Sequence, residues 1–380
     1  MTTPPSIRAL YVHVPFCRTL CGYCDFYSVV AEPGRLESLV VALLDELDRA
    51  ARALQPRFDT IFVGGGTPTV LPEPLLRRLL DACARLAAPA ADREFTVEAN
   101  PATVSPGTAA VLAAASVNRV SLGAQSFQPR ELLTLQRTHT PEQVAQTVAV
   151  CRAAGLDHLS LDLIFGIPGQ TLGSWRDSLR QVVELSPEHL SCYGLTYEPG
   201  TPLHDQRDAG QVQPVDPDLE ADMYEQAIDD LAAAGYEQYE ISNFARPGAA
   251  CRHNLVYWHN EPYLGIGPAA AGYVDGVRYQ NVADVDAYTQ AVSAGRSPRD
   301  NEERLDAASQ AGETAMLALR LCAGLDRRRF TERFGRDPVD HFRKAVDRHA
   351  ADGLLEVTPE AVHLTRRGRL IADRVIADFL

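Results

Sequence analysis

The sequence of 380 residues has no long apolar run: no stretch of 18 or more apolar residues occurs, so we expect no transmembrane segment. The first residues, Met1 to Arg8, are few, contain proline and lack the apolar core of a signal peptide, which predicts that the protein is not exported. The eight cysteines are therefore expected in the reducing cytoplasm, as thiols and not as disulfides.

A basic surplus is also lacking. The chain carries 36 Lys and Arg against 50 Asp and Glu, a net charge of −14 at pH 7. Nonspecific nucleic-acid binding needs a basic surface, so no nucleic-acid partner is predicted. There is no low-complexity tract. Hydrophobic residues make up 46% of the chain, which is enough for a real core in one large domain and one small one.

Three cysteines crowd into eight residues near the N-terminus: Cys17, Cys21 and Cys24. A structural zinc site or an ordinary iron–sulfur cubane takes four ligands, and no second Cys or His pair stands at the distance that a zinc finger needs. Three thiolates can hold a [4Fe–4S] cluster and leave one iron open to a small ligand. We therefore predict these thiols as metal ligands, with zinc as the competing interpretation.

Strand-like and helix-like runs alternate from the start of the chain, which predicts a parallel sheet in an α/β fold. The predicted strands are Leu10 to Val14, Thr60 to Val63, Phe95 to Val97, Arg119 to Leu122, Leu159 to Phe165 and His189 to Tyr193. The predicted helices are Leu36 to Leu54, Pro74 to Leu86, Pro106 to Ala115, Pro141 to Ala154, Leu172 to Leu185 and Leu219 to Ala234. Barrels and open sheets both fit this alternation.

Polar segments follow successive strands and favour a curved sheet. The cysteine loop follows the first strand, Gly64-Gly65-Gly66-Thr67-Pro68 the second, Glu98 ends the third and Gln125 follows the fourth, whereas Asp162 lies within the fifth. Since one ligand touches all of these only if the sheet curves around it, we predict a partial (β/α)6 barrel with its site at the carboxyl ends of the strands.

The regular alternation fades after Tyr193. Residues 235–276 are rich in Gly, Pro, Tyr and Asn and are predicted to form a functional loop. From about Asn301 the pattern predicts three helices, two short strands and a terminal helix to Leu380, a small winged-helix-like α+β domain used for packing or docking. The predicted domains are 1–235, 236–300 (the extension) and 301–380.

The spacing Cys-x3-Cys-x2-Cys, with an aromatic residue before the last cysteine, resembles the radical S-adenosylmethionine (SAM) superfamily, as does Gly-Gly-Gly-Thr-Pro. The resemblance implies a partial TIM-like radical SAM barrel, a [4Fe–4S] cluster on the three thiols, and SAM bound through its amino and carboxylate groups to the open iron. The residues that it implies for SAM are Tyr11, Tyr23, Gly65, Gly66, Thr67, Glu98, Gln125, Arg137 and Asp162. Singly, each could be a cap, an ion-pair partner or a turn former.

Over Arg8 to Asp275 the chain resembles the oxygen-independent coproporphyrinogen III oxidase-like branch of that superfamily. Members that oxidise coproporphyrinogen carry a fourth cysteine two positions after the third, where this chain has Phe26, and a longer segment before the cluster. Both departures argue against oxidative decarboxylation of porphyrinogen propionates, which stays the alternative function. Whether the chain is an enzyme stays open, and no residue is assigned a catalytic role.

The run Cys251-Arg252-His253-Asn254-Leu255-Val256-Tyr257-Trp258 contains His-Asn-x-x-Tyr-Trp and resembles the haem-binding motif of the HemW haem chaperone family. Imidazole is a standard axial ligand of haem iron, so His253 is predicted to bind it, with His259 as a rival. Tyr257 and Trp258 offer flat faces to a porphyrin. Asn254 would orient the histidine or meet a propionate. The alternative is a loop with an aromatic pair and a hydrogen-bonded histidine.

This resemblance implies a cytoplasmic haem chaperone that holds a [4Fe–4S] cluster, SAM and haem b. The expected partners are haem and the membrane-bound respiratory enzymes that receive it. A homodimer and transient association with the membrane are further expectations. A radical SAM enzyme on an unrelated substrate is a third hypothesis.

Overall fold

The computed structural model describes residues 7–89 and 93–380, so most of the segment interpreted as lacking a signal peptide lies outside the described residues. Six strands of the first half follow the predicted ones within a few residues: β1 (Ala9–Val14), β4 (Thr60–Gly65), β5 (Glu94–Ala99), β6 (Arg119–Gln125), β7 (His158–Phe165) and β8 (His189–Gly194). Two short strands, β2 (Phe16–Cys17) and β3 (Val29–Val30), were not predicted.

Helices connect these strands and cover the outer face of the sheet. They are α1 (Pro33–Leu54), α2 (Glu73–Ala84), α3 (Pro106–Ala114), α4 (Pro129–Thr134), α5 (Pro141–Ala153), α6 (Leu172–Glu184), α7 (Pro202–Asp208) and α8 (Pro217–Ala233). Local sequence sets their ends: α5 begins with a capping box in which Thr140 and Gln143 bond to each other's backbone N–H, and Pro141 fills the first turn. The apolar stripe of α1, from Leu36 to Leu47, is buried.

Six strands form a parallel sheet in the order β1-β4-β5-β6-β7-β8. This confirms the predicted α/β class with parallel βα units. The sheet gains three strands that were not predicted: β11 (Leu264–Ile266) pairs parallel to β1, and β10 (Asn243–Ala245) pairs antiparallel to β8 and to β9 (Glu237–Gln238). Within the described residues β11 and β9 are the two edges, so the barrel is partial.

The prediction that residues 235–276 form a loop was wrong. This segment holds β9, β10 and β11, the helix α9 (Arg252–Trp258) and β12 (Ala271–Val274). The elements are short and rich in turn residues, so their own periodicity is weak. β11 is specified by pairing with β1, more than 250 positions earlier in the chain. β13 (Val277–Asn281), α10 (Val285–Ser293) and β14 (Arg299–Glu303) follow, and β12-β13-β14 form a separate small sheet.

The C-terminal part has its own apolar core, which includes Phe330, Val362, Val375 and Phe379. Its elements are α11 (Ala307–Ala318), β15 (Leu325–Asp326), α12 (Arg327–Phe334), α13 (Pro338–His341), α14 (Arg343–Ala351), β16 (Leu355–Val357), β17 (Ala361–Leu364), α15 (Arg366–Leu370) and α16 (Ala372–Ile376). The two predicted strands pair as β16-β17, and β15 adds a third that was not predicted. The domain boundaries at 235 and 300 stay predictions.

The single terminal helix predicted to Leu380 was also wrong. It is divided into α15, α16 and a 3-10 turn at Ala377–Phe379, and the break falls at Ile371, whose φ of −127° and ψ of 35° are not helical. The two helices pack on different neighbours: in α15 a Cβ on Gly368 would be 2.0 Å from the carbonyl oxygen of Leu354, just before β16, whereas α16 buries Ala372, Val375 and Ile376 in the C-terminal core. No helix among the described residues is both long and apolar enough to cross a membrane.

Candidate cofactor site and motif helix

The three-cysteine loop is held at the carboxyl end of β1 by backbone pairing. β2, which contains Cys17, pairs parallel to β3, and the side chain of Phe16 is fully buried beneath the loop. Farther along, the N–H of Cys24 donates to the Cys21 carbonyl at 3.3 Å, and the Gly22 carbonyl accepts from the N–H of Leu203 at 2.8 Å. All three thiols are free and partly exposed, so the loop presents them together at the rim of the barrel.

Donors from two other segments face these sulfur atoms. Thr67 Oγ1 lies 3.6 Å from Cys17 Sγ, and Arg137 Nη1 donates to Cys21 Sγ at 3.4 Å. Burial raises the pKa of the Cys24 thiol to about 11 and also raises that of Cys17, so a bound metal would have to supply the charge that deprotonates them. A guanidinium and a hydroxyl aimed at sulfur suit anionic thiolates.

No three His, Cys, Asp or Glu side chains within residues 7–89 and 93–380 are grouped as they would be around a single metal ion. An iron–sulfur cubane makes a different demand, because each thiolate binds a different iron. The donor set of three adjacent thiols therefore fits the predicted cluster in its chemistry.

The glycine segment after β4 lies against the cysteine loop. Gly65 has a φ of +105°, in the region that favours glycine, and its N–H donates to Glu98 Oε2 at 2.9 Å. The N–H of Gly66 donates to the Val14 carbonyl at 2.9 Å, and a Cβ on Gly66 would come within 2.7 Å of the Pro15 carbonyl carbon. Glycine is thus required where the two backbone segments meet, and this contact places the segment Gly64–Thr67, which we call the glycine cradle, beside the cysteine loop.

Four more of the predicted SAM residues lie at the same rim. Arg137 Nη2 donates to the Gly123 carbonyl at 2.7 Å, and Gln125 ends β6 in a left-handed conformation with a φ of +65°. Burial raises the pKa of the Tyr23 phenol, while nearby Arg137 lowers it. Burial also raises the pKa of Glu98 to about 7, with Asp162 adding to the rise. Amides, a guanidinium and carboxyls here suit a zwitterionic ligand with hydroxyl groups.

Asp162 and Tyr11 lie deeper in the barrel than the rim. The Asp162 carboxyl accepts hydrogen bonds from three hydroxyls, those of Ser121, Ser160 and Ser191, the shortest at 2.7 Å. The Tyr11 hydroxyl lies 2.9 Å from His13 Nδ1. Burial raises the pKa of both groups, as expected for polar side chains inside a barrel. The structure therefore places these two residues below the cradle, with hydrogen-bond partners already present.

The haem motif lies on α9, a helix packed against the opposite, amino end of the barrel. His253 is completely buried, with Nδ1 2.9 Å from Thr60 Oγ1 and Nε2 2.8 Å from the Tyr257 hydroxyl. Its ring stacks on Phe62 with the centroids 5.3 Å apart. Burial lowers the pKa of His253 to about 3, so the imidazole is neutral near pH 7. In this conformation neither ring nitrogen is free to bind iron.

Three residues that the sequence did not single out hold α9 in place. The Glu94 carboxylate accepts the N–H groups of Arg252 and His253, both at 2.9 Å, and so caps the first turn of the helix. Arg119 Nη1 donates to the Ala249 carbonyl at 3.0 Å, just before the helix, and Thr60 bonds to the imidazole. Alternation along β4 could have placed Thr60 on the inner face, but no local pattern marks Glu94 as a cap.

The other residues of the motif contact different parts of the structure. Tyr257 packs edge-on against Tyr263 with the centroids 4.7 Å apart, and the Arg320 guanidinium carbon lies 5.2 Å from the centre of the Trp258 ring. Asn254 is half-buried, as is the rival ligand His259. The structure thus brings the predicted cluster and SAM residues together at one end of the barrel and places the predicted haem residues at the other.

A partial parallel barrel with three clustered thiols at its rim, facing a glycine cradle, defines a protein of the radical SAM class. The family model described as the radical SAM superfamily matches residues 11–182, and the model described as the HemN C-terminal domain matches residues 305–371. The solved structure titled coproporphyrinogen III oxidase (HemN) from Escherichia coli superposes with a TM-score of 0.85 at 24% identity, covering 99% of this chain and 90% of that one. At that identity the likeness concerns the fold.

Curated relatives refine the class. The protein called heme chaperone HemW of Bacillus subtilis is 37% identical over 376 residues, which cover 98% of this chain and 99% of the relative. Heme chaperone HemW of Escherichia coli is 36% identical over 385 residues, 98% of each chain. A mitochondrial radical SAM domain-containing protein 1 of Bos taurus is 39% identical over 71% of this chain and 61% of its own length. The chain belongs to the HemW haem chaperone family of radical SAM proteins, as its motifs predicted.

Proposed function

We propose that the chain is a cytoplasmic haem chaperone that binds haem b and passes it to membrane-bound respiratory haem proteins. The observation that carries the proposal is the full-length similarity to relatives named heme chaperone, combined with an intact His-Asn-x-x-Tyr-Trp helix. Delivery to respiratory enzymes, transient membrane contact and a homodimeric state belong to the same proposal.

The rim of the barrel would hold the two resident cofactors. Cys17, Cys21 and Cys24 would bind the [4Fe–4S] cluster, and Gly65, Gly66 and Thr67 would accept SAM beside it, with Tyr11, Tyr23, Glu98, Gln125, Arg137 and Asp162 in support. Superfamily membership and the donor set support this assignment. A bound cluster of this kind supplies one-electron chemistry to SAM. The protein's own part is to orient the ligand through the cradle and to direct Arg137 at the sulfur side.

His253 is the proposed iron ligand, and its surroundings make that role conditional on movement. Both ring nitrogens are engaged, one by Thr60 and one by Tyr257. Binding iron through either nitrogen therefore requires one of these hydrogen bonds to break and α9 to shift from β4. The proposal thus predicts slow or incomplete haem binding while His253 is still bonded to Thr60 and Tyr257.

A haem titration of the anaerobically reconstituted protein tests the function. Haem should shift the Soret band of the wild type, and His253→Ala should abolish the shift. His259→Ala tests the rival ligand: it removes a half-buried imidazole that follows the same helix, and it should leave the Soret shift unchanged. Tyr257→Phe serves if His253→Ala folds poorly, because it keeps the imidazole and removes only the partner of Nε2. A Soret shift in His253→Ala as large as that of the wild type, with the variant folded as judged by circular dichroism, would contradict the ligand assignment.

The enzymatic alternative has its own discriminating assay. Phe26 stands where coproporphyrinogen oxidases would carry a fourth cysteine, and its side chain is 68% exposed. Incubation of the reconstituted protein with SAM, a reductant and coproporphyrinogen III should therefore yield no vinyl product. Vinyl groups detected by mass spectrometry would favour the oxidase instead. Transfer of haem to membranes whose respiratory enzymes lack haem, measured as the return of oxidase absorbance, tests the class of recipient. Analytical ultracentrifugation tests the homodimer.

A further inference from the structure

A cavity of about 490 Å³ lies away from both sites, between the outer face of β7 and β8, the helix α8 and the C-terminal helices α15 and α16. We call it the Arg369 cavity. Its volume falls within the range of about 300–1,000 Å³ that is usual for pockets that bind small organic molecules. The barrel side contributes an apolar wall of Phe165, Tyr224 and Ile241, and the C-terminal side contributes Leu370 and Ala372.

Three arginines line the cavity, and two of them use few of their donors. Among the described residues Arg369 Nη1 donates only to Cys322 Sγ at 3.4 Å, a weak acceptor, and its buried Nε has no partner there. Arg320 Nη1 reaches Asp373 at 3.4 Å and its buried Nε is likewise unpartnered. Arg374 lies exposed at the mouth. A guanidinium has five donors, so both inner side chains have capacity for a carboxylate.

The acidic groups around the cavity do not cancel this capacity. The Asp373 side chain is 96% exposed and points to solvent. Glu220 lines the apolar side, and burial raises its pKa. Glu240 lies near Arg320, and burial raises its pKa while Arg320 opposes the rise. The cavity therefore combines an apolar wall with two under-used cationic groups, a pattern that fits an apolar molecule carrying carboxylates.

Two aromatic rings belong to the apolar wall. Phe165 and Tyr224 stack on each other with their centroids 6.0 Å apart and an interplanar angle of 29°, and both residues are largely buried. Arg320, on the cationic side, lies over the ring of Trp258, the last residue of the haem motif. The motif helix is therefore linked to the cavity through Arg320, while its His253 is turned into the barrel.

We propose that the Arg369 cavity seats a porphyrin by its propionate groups, with carboxylates at Arg369 and Arg320 and the ring along the Phe165–Tyr224 wall. The proposal rests on the proposed function, because it takes haem as the cargo. It assigns recognition of the ring and its carboxylates to a place separate from the iron ligand. Cargo can then be held here while His253 is still bonded to Thr60 and Tyr257.

Protoporphyrin IX contains no iron, so its binding measures recognition of the porphyrin in the Arg369 cavity without iron ligation. Absorbance and fluorescence titrations of the full-length protein should show binding of protoporphyrin IX and competition with haem, whereas protoporphyrin dimethyl ester should bind at least about tenfold more weakly. Arg369→Gln should weaken protoporphyrin IX about tenfold to a hundredfold, the loss expected for a charged hydrogen bond. Arg367→Gln is the matched control: it removes the same charge from the same helix, but its guanidinium bonds to the Asp352 carbonyl and does not line the cavity.

A second variant guards against a folding defect in Arg369→Gln. Ala221→Phe fills the cavity from α8 without changing charge and should weaken protoporphyrin IX by a similar factor. Suppose that the wild type binds haem and protoporphyrin IX, that it binds the dimethyl ester as tightly as protoporphyrin IX, and that both variants bind protoporphyrin IX as tightly as the wild type does. The cavity proposal is then overturned and the proposed function stands. Binding of haem without binding of protoporphyrin IX also overturns the cavity proposal. If the wild type binds neither molecule, the proposed function falls first and the cavity proposal falls with it.

Discussion

His253 Nδ1 and Thr60 Oγ1 lie 2.9 Å apart, which ties the motif helix to the first residue of strand β4. The same strand ends at Gly65, in the cradle beside the thiols. The six residues of β4, which span about 17 Å of extended chain, therefore connect the two predicted sites. A shift of β4 at Thr60 can therefore move Gly65 as well, because both residues belong to the same strand.

Thr60→Val tests the role of this contact in holding the helix. The variant leaves a buried imidazole nitrogen without a partner, which should lower the free energy of unfolding by about 1–3 kcal/mol. If haem capture requires release of His253, the same change should raise haem affinity in a Soret titration.

The control for that experiment lies on the neighbouring strand. Thr96 is fully buried in β5, and its hydroxyl has no hydrogen-bond partner among the described residues. Thr96→Val removes a similar group and should leave urea denaturation unchanged or shift it to higher urea. Equal stability of Thr60→Val and the wild type would show that the hydrogen bond does not hold α9.

Gly66→Ala should disrupt the cradle. Its Cβ would come within 2.7 Å of the Pro15 backbone, so the glycine segment and the cysteine loop must separate. We expect SAM affinity, measured by equilibrium dialysis of the reconstituted protein, to fall at least about tenfold, the loss that about 1.4 kcal/mol would cause. Gly34→Ala, in the first turn of α1, meets no atom of the described residues within 4 Å and should bind SAM normally. Normal SAM binding by Gly66→Ala would show that the glycine cradle is not part of the SAM site.

Glu98 should make stability depend on pH in a defined direction. Burial raises its pKa from 4.5 to about 7, so between those values the folded state holds a proton that the unfolded state has lost. The free energy of unfolding should therefore fall as pH rises through this window, by up to about 3 kcal/mol. Glu98→Gln keeps an acceptor for the Gly65 N–H and does not titrate, so between about pH 5 and pH 8 it should lose less stability than the wild type. If urea denaturation shows that the wild type and Glu98→Gln lose equal stability between these pH values, Glu98 is not the group responsible for the pH dependence.

The sequence predicted the barrel because its signals are local. The six strands of the parallel sheet are apolar runs closed by turn residues, and α1 carries a buried stripe from Leu36 to Leu47. The cysteine spacing and the glycine run are equally local, and the structure places both segments at one rim, with Thr67 facing Cys17. Chemistry carried by contiguous residues is therefore visible before folding.

Features that depend on distant pairing were not visible. β11 exists because β1 offers it an edge, and the break at Ile371 separates two helices that pack on different neighbours. The burial of His253 depends on Thr60 and Glu94, which lie more than 150 positions away in sequence. A motif resemblance names the residues of a site, but it does not show whether their nitrogens are free.

The predicted boundary near residue 300 can be tested through the C-terminal core. Phe330 is 2% exposed and packs against Phe334 and Phe342, at centroid distances of 4.6 and 5.7 Å. Phe330→Ala should cost about 3–5 kcal/mol, and because this core is separate from that of the barrel, residues 301–380 should unfold first. Limited proteolysis should then leave a stable fragment that ends near residue 300, whereas Leu133→Ala, at a side chain 77% exposed, should behave as the wild type. Loss of both parts in one transition would show that the barrel and the C-terminal core unfold as one unit.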